Sequence, residues 1–113
     1  MTTIVIFKSN GLYKGFTCAG HAGFDQSGKD IVCAAISVLV INTINSIEQL
    51  ANENLITDSD EKSGTIECHF PDMINEKTVL LMDSMVLGLK EIEHNYGNQK
   101  KGRKFFELII KEV

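Results

Sequence analysis

The sequence contains no Cys-x-x-Cys pair, and its three cysteines, Cys18, Cys33 and Cys68, are an odd number spread far apart. Paired cysteines are typical of zinc ribbons and thioredoxin-like redox sites, so neither class is indicated. Disulfides are also rare in a reducing cytosol. We therefore treat each cysteine as a free thiol whose role depends on its surroundings.

A secretory signal and a long apolar run are also lacking. The first four residues, MTTI, have neither the basic segment nor the apolar stretch of a leader peptide. The longest apolar run, residues 31–41, is interrupted by Ser37 and is too short to span a bilayer. We therefore expect a cytoplasmic protein with no membrane association.

An excess of positive charge is missing as well, because 11 Lys and Arg stand against 15 Asp and Glu, for a formal net charge of −4. Non-specific nucleic-acid binders usually present net positive charge, so direct nucleic-acid binding is not expected. We interpret the one basic cluster as a solvated loop before the last strand. Its members are Lys100, Lys101, Arg103 and Lys104.

The pattern of strands and helices fits a single domain over residues 1–113. Strands are predicted at 2–8, 12–19, 55–57, 65–70 and 105–113, and helices at 31–51 and from 71–72 to 96. Asn10-Gly11 is a hairpin signal, and the glycine-rich residues 20–29 predict a loop. The order ββαββαβ indicates an α+β domain with an antiparallel-rich sheet and two helices.

Cys33 is predicted to lie in the first turn of the first helix, because Asp30, alone or with Ser27, is a suitable N-cap. Backbone N–H groups and the helix dipole favour an anion there, and the thiolate is the reactive form of cysteine. His21 ends the second predicted strand, and its imidazole titrates near neutrality, as a general base requires. The residues alone leave open a second interpretation, in which Cys33 is a small apolar core residue.

Residues 20–35 have the sequence GHAGFDQSGKDIVCAA, Ser37 follows, and residues 45–48 have the sequence NSIE. These segments closely resemble the signature of the bacterial ribosomal-processing cysteine proteases, the Prp family. The length of the chain and the order of its predicted strands and helices also resemble those of this family over nearly the whole chain. The basic turn of residues 96–103 is longer than expected of that family, which bears on a dimer contact or partner surface rather than on catalysis.

The resemblance implies a protease that removes the N-terminal extension from the precursor of a large-subunit ribosomal protein. By position, Cys33 matches the catalytic cysteine and His21 the catalytic histidine. Gly20, Asp30 and Ser37 match other recurrent positions of the motif. The resemblance also implies a homodimer, and the mechanism requires no metal or organic cofactor.

The sequence alone leaves several supporting roles open. Asp30 either orients His21 as the third member of a triad or caps the helix below Cys33, and the cap is favoured because Asp is a preferred N-cap. Ser37, one turn after Cys33, either lines the site or is a small residue that lets the helix pack. The backbone N–H groups of Cys33 and Ala34 are candidate oxyanion donors.

Two other function classes are alternatives to the protease. One is a non-catalytic ribosome-associated binding module, and the other is a thiol redox sensor that uses Cys33. A zinc site formed by Cys18, His21 and Cys33 lacks the paired spacing of known zinc sites. Cys68 is predicted to be a core residue on an alternating strand, with His69 on the opposite face of that strand.

Overall fold

The structure, a computed structural model, describes residues 1–20, 31–60, 62–96 and 105–113. Within these residues, five strands form one sheet and two helices pack against it, so the predicted α+β class and element order are confirmed. The strands are β1 (Thr2–Ser9), β2 (Leu12–Ala19), β3 (Ile56–Asp60), β4 (Thr65–His69) and β5 (Phe106–Glu112), and the helices are α1 (Ile31–Leu50) and α2 (Glu76–Tyr96).

The strands lie in the order β3-β4-β2-β1-β5. Neighbouring strands are antiparallel except for β1 and β5, which are parallel. Asn10 and Gly11 join β1 to β2 at φ angles of 52° and 79°, the left-handed conformation that a tight two-residue hairpin needs. The predicted hairpin is therefore confirmed, and β1 and β2 form the centre of the sheet.

The hydrophobic core lies between one face of the sheet and the two helices. Alternate residues of the strands turn to that face and form a single cluster with side chains of α1 and α2. Its buried members include Ile4, Ile6, Phe16, Cys68 and Phe106 from the strands, and Val32, Ile36, Val40, Met82, Met85 and Leu89 from the helices. Cys68 is 3% exposed and His69 is exposed, which confirms the predicted alternation of β4.

Helix α1 is longer than the apolar run with which it begins. The apolar run of residues 31–41 is by itself too short for a bilayer, whereas the helix continues to Leu50 and is long and apolar enough to cross a membrane. In the fold, however, α1 packs on α2 and buries five side chains: Val32, Ile36, Val40, Thr43 and Ile47. The core helix of a folded domain meets the same criterion, so its length is no argument for a membrane.

The second helix begins later than predicted at residues 71–72. Oδ1 of Asn75 accepts a hydrogen bond from the N–H of Thr78 at 3.0 Å, so Asn75 is the N-cap and α2 begins at the next residue. Nδ2 of Asn75 donates to the carbonyl of Ala51 at 3.0 Å, and Oε1 of Glu53 accepts from the N–H of Asn75 at 2.8 Å. These bonds tie the end of α1 to the start of α2.

The outermost strands, β3 and β5, carry charged groups. The N–H of Leu108 in β5 donates to Oε2 of Glu93 on α2 at 2.7 Å. β3 extends further than the predicted residues 55–57, and all five of its residues are exposed, including Asp58 and Asp60. A strand with no buried face shows no apolar alternation, which is why the sequence pattern missed its extent.

Candidate active site

Cys33 is the third residue of α1, in the first helical turn as predicted, and Ala34 follows it on the exposed surface. The Cys33 side chain is half-buried and packs against the core cluster. In this turn, backbone N–H groups point out of the helix, at the positive end of its dipole. The position therefore suits an oxyanion that develops beside Cys33.

A cavity of about 280 Å³ opens next to Cys33. Its walls include Thr2, Cys18 and Gly20 from the sheet and Cys33, Ile36 and Ser37 from α1, and the β3–β4 hairpin forms the far side. The structure thus brings together three of the predicted site residues, Gly20, Cys33 and Ser37. The predicted base His21 and the predicted cap Asp30 lie outside the described residues, as does the basic cluster within residues 97–104.

The other two cysteines have thiols that stay protonated near neutral pH. Burial, and secondarily the nearby Cys33, raises the pKa of Cys18 to about 11. Burial, and secondarily Glu48, raises the pKa of Cys68 to about 12. Because the thiolate is the nucleophilic form, neither residue suits the role. Cys33 is half-buried beside a cavity, so it is the best candidate of the three.

Gly20 joins the end of β2 to the residue that follows it, His21. Its φ of 85° is in the left-handed region, and a Cβ built on it would lie 2.5 Å from the carbonyl oxygen of Met1. A side chain is therefore excluded both by backbone conformation and by space. This gives a physical reason for glycine at the motif position before His21.

We expect Gly20→Ala to lower the free energy of unfolding by roughly 1–3 kcal/mol and to reduce proteolysis, because the backbone beside the cavity must shift. Gly11→Ala is the matched control: Gly11 has a φ of 79°, but nothing lies within 4 Å of its added Cβ. Urea unfolding measures the free energy of unfolding of both variants. Gly11→Ala reports the cost of the positive φ alone, and Gly20→Ala reports that cost together with the clash with Met1. Equal losses of stability, with activity retained in both variants, would contradict this account of Gly20.

Thr2 and the β3–β4 hairpin were not among the predicted site residues. The register of β1 and β2 pairs Thr3 with Ala19, so Thr2 lies beside Gly20 at the end of the two strands. The hairpin reaches the cavity because β4 pairs with β2. Both placements depend on the strand order, and no local pattern in the sequence reports it.

Within the ranges that the structure describes, no three His, Cys, Asp or Glu side chains are grouped as a metal ion would need. The zinc site considered for Cys18, His21 and Cys33 includes one residue outside those ranges. The described part of the cavity holds two of its three members, Cys18 and Cys33. It therefore offers two sulfur ligands at most, fewer than the four protein ligands of structural zinc sites.

The family model described as cysteine protease Prp matches residues 1–101. The chain belongs to this family. It is 32% identical over 85 residues to the ribosomal processing cysteine protease Prp of Bacillus subtilis strain 168. The matched region covers 72% of this chain and 76% of the relative. It is 31% identical over 77 residues to the protein of that name from Staphylococcus aureus strain Mu50, over 68% of this chain and 73% of the relative.

Solved structures agree with this assignment. A crystal structure of the Prp protease from S. aureus with a covalently linked product peptide has a TM-score of 0.88 and 27% identity, over 98% of this chain and 100% of that chain. The structure of SMU.848 from Streptococcus mutans has a TM-score of 0.81 and 28% identity, over 100% of this chain and 96% of that one. The chain is thus a cysteine protease by family, which decides against the non-catalytic binding module.

Proposed function

We propose that this Prp-family protease removes the N-terminal extension from the precursor of a large-subunit ribosomal protein, with Cys33 as nucleophile and His21 as base. The observation that carries the proposal is the position of Cys33 in the first turn of α1, beside a cavity that also contains Gly20, the residue before His21. The relatives from B. subtilis and S. aureus bear the name of ribosomal processing proteases, which supports the substrate class.

In the proposed acylation step, His21 takes the proton of the Cys33 thiol, and the thiolate sulfur attacks the carbonyl carbon of the scissile peptide bond. The carbonyl oxygen becomes an oxyanion, and N–H groups of the first turn of α1, around Cys33 and Ala34, stabilise it. When the tetrahedral intermediate collapses, the C–N bond breaks and the His21 imidazolium protonates the leaving amine. The N-terminal extension is then held as a thioester on Cys33.

In the deacylation step, His21 removes a proton from a water molecule, and the resulting hydroxide equivalent attacks the thioester carbon. The C–S bond breaks, the extension leaves with a new carboxylate, and the proton returns to the sulfur or the medium. Ser37 lies one turn after Cys33 in the same cavity, where its hydroxyl can bind polar atoms of the acyl group. Asp30 either orients His21 or caps α1, and either role serves this cycle.

Incubation with the full-length ribosomal protein precursor from the same cell, followed by intact mass measurement, tests the proposal. We expect two products whose masses sum to that of the precursor plus one water. The matched control substrate lacks the extension and should keep its mass. Stoichiometric labelling of Cys33 by iodoacetamide should remove cleavage in proportion to the label. An unprocessed precursor in the presence of folded, unlabelled protein would contradict the proposal.

We also propose that the protease acts in the cytoplasm as a homodimer. Large apolar side chains are exposed on both helices, where a second copy of the chain would remove them from water. These exposed side chains include Val38 on α1 and Leu80 and Leu87 on α2, with exposed fractions of 69%, 69% and 71%. Light scattering should give twice the chain mass of 12.5 kDa. A monomeric mass at micromolar concentration would contradict the proposal.

A further inference from the structure

A second cavity continues the cavity beside Cys33 along α1. Its volume is about 200 Å³, and it lies between α1 and the β3–β4 hairpin. Ile41 and Ile44 form its wall on the side of α1. Ser59 and Ile66 line both cavities, so the two adjoin directly. We call the two cavities together the α1 groove, with a near end at Cys33 and a far end at Ile41 and Ile44.

The spacing of the α1 residues gives the direction and length of the groove. Ser37 and Ile41 follow Cys33 at intervals of four residues, and Ile44 comes three residues later. This spacing places all four on one face of the helix. At about 1.5 Å per residue, the far end lies about 12–16 Å from Cys33 along the helix axis. An extended peptide covers that distance in about four or five residues, at about 3.3 Å each.

The far end of the groove is apolar and open to solvent. Ile41 is 47% exposed, whereas Ile44 and Ile66 are half-buried and pack against the core. An apolar side chain placed here removes isoleucine surface from water on both sides of the groove, which is favourable. Thr57 pairs with the buried Cys68, so it lies on the helix-facing side of β3 and completes the wall opposite α1.

We propose that the far end of the α1 groove binds an apolar side chain of the N-terminal extension, four or five residues before the scissile bond, while that bond lies at Cys33. The extended substrate is the occupant because the far end is continuous with the cavity in which its peptide bond is cleaved. The inference deepens the proposed function and rests on Cys33 as the nucleophile. It assigns Ile41 and Ile44 as specificity-determining residues outside the cavity in which the chemistry takes place.

Product release favours the extension over the mature protein as the source of this side chain. After cleavage, the mature protein keeps only the contacts made by residues that follow the scissile bond. An apolar side chain in the extension is therefore lost to the mature protein, which leaves without the contacts at the far end of the groove. The processed protein then does not compete with its precursor for the groove, and product release does not slow turnover.

The first test compares two peptides that span the cleavage site found by intact mass. The long peptide keeps six residues of the extension, and the short peptide keeps three. We expect kcat/KM of the wild-type protease to be about tenfold higher for the long peptide, as is typical of one side chain in an apolar pocket. A ratio of about one in the wild type would overturn the inference.

Two variants and a matched control connect this ratio to the groove. Ile41→Gln keeps a good helix former and removes the apolar surface, so it should bring the ratio to about one. Thr57→Phe fills the groove from the β3 side and should lower the ratio in the same way. Leu50→Gln, at a position on α1 that is 67% exposed and outside both cavities, should keep the wild-type ratio. Because each ratio is taken within one variant, a loss of folded protein does not change it.

A second set of peptides locates the side chain. Each position in turn carries Leu or Asn, which differ little in size and greatly in polarity. In the wild type, we expect a preference for Leu of about tenfold in kcat/KM at the fourth or fifth position before the scissile bond. Ile41→Gln should remove that preference. A preference at the fourth or fifth position after the bond instead would overturn the assignment to the extension.

Binding separates failure of this inference from failure of the proposed function. Calorimetry with Cys33→Ala, alone and combined with Ile41→Gln, measures the affinity of the same Leu and Asn peptides of the precursor's N-terminal segment without a chemical step. A preference for Leu that disappears with Ile41→Gln supports the groove even when the precursor is not cleaved. Equal affinities within every pair, or a preference that survives Ile41→Gln, overturn it even when the precursor is processed as proposed.

Discussion

Replacing Cys33 with Ala or Ser is expected to abolish processing of the precursor and leave the fold intact. The thiolate supplies the nucleophile, and a serine hydroxyl at neutral pH does not replace it without different activation. Loss of the nucleophile costs about 10⁶ in kcat in a serine protease, so we expect a fall of at least about 10³ here. Cleavage rates from intact mass, together with circular dichroism of each variant, measure the two halves of the prediction.

Cys68→Ser provides the matched control for that experiment. Cys68 is a core residue of β4 with a protonated thiol, so its replacement should cost stability and leave the cleavage rate near that of the wild type. Wild-type cleavage by Cys33→Ser would remove Cys33 from the mechanism. Loss of cleavage in a well-folded Cys68→Ser variant would contradict the assignment of a purely structural role to Cys68.

His21→Ala is expected to lower kcat by about 10²–10⁴ and to change KM little, because the imidazole acts in proton transfer rather than in holding the peptide. Steady-state kinetics on the precursor peptide measure the two parameters separately. His94→Ala is the matched control, since His94 is exposed in the last turn of α2 and outside the cavity. A His21→Ala variant that binds poorly and turns over normally would make His21 a binding residue instead.

The first hairpin and the first helix could be predicted from local patterns. β2 has its predicted bounds because Asn10-Gly11 fixes one end and Gly20 follows the other. α2 was placed too early because Pro71 is a local helix-start signal, whereas the actual cap, Asn75, is held by Glu53 from a distant part of the chain. Local signals thus locate an element, and long-range hydrogen bonds decide where it begins.

The residues of the candidate site also divide into those that local sequence signals predict and those that depend on the folded structure. Gly20, Cys33 and Ser37 were found because they belong to one motif, and the structure places all three at one cavity. Thr2 carries no motif, and it lies at the cavity only because β1 has paired with β2. A polar residue near the start of a strand has many possible environments, so its chemistry could not be predicted before the fold was known.

The hydrogen bond from Leu108 to Glu93 has a consequence for how these molecules coexist at high concentration. An exposed strand edge is a template on which another chain can add a strand, and this addition is a route to fibrils. An incoming strand at β5 would have to displace the Glu93 carboxylate and leave it without that partner. At the opposite edge it would meet Asp58 and Asp60 on a short strand. Growth of the sheet across molecules is therefore opposed at both of its edges.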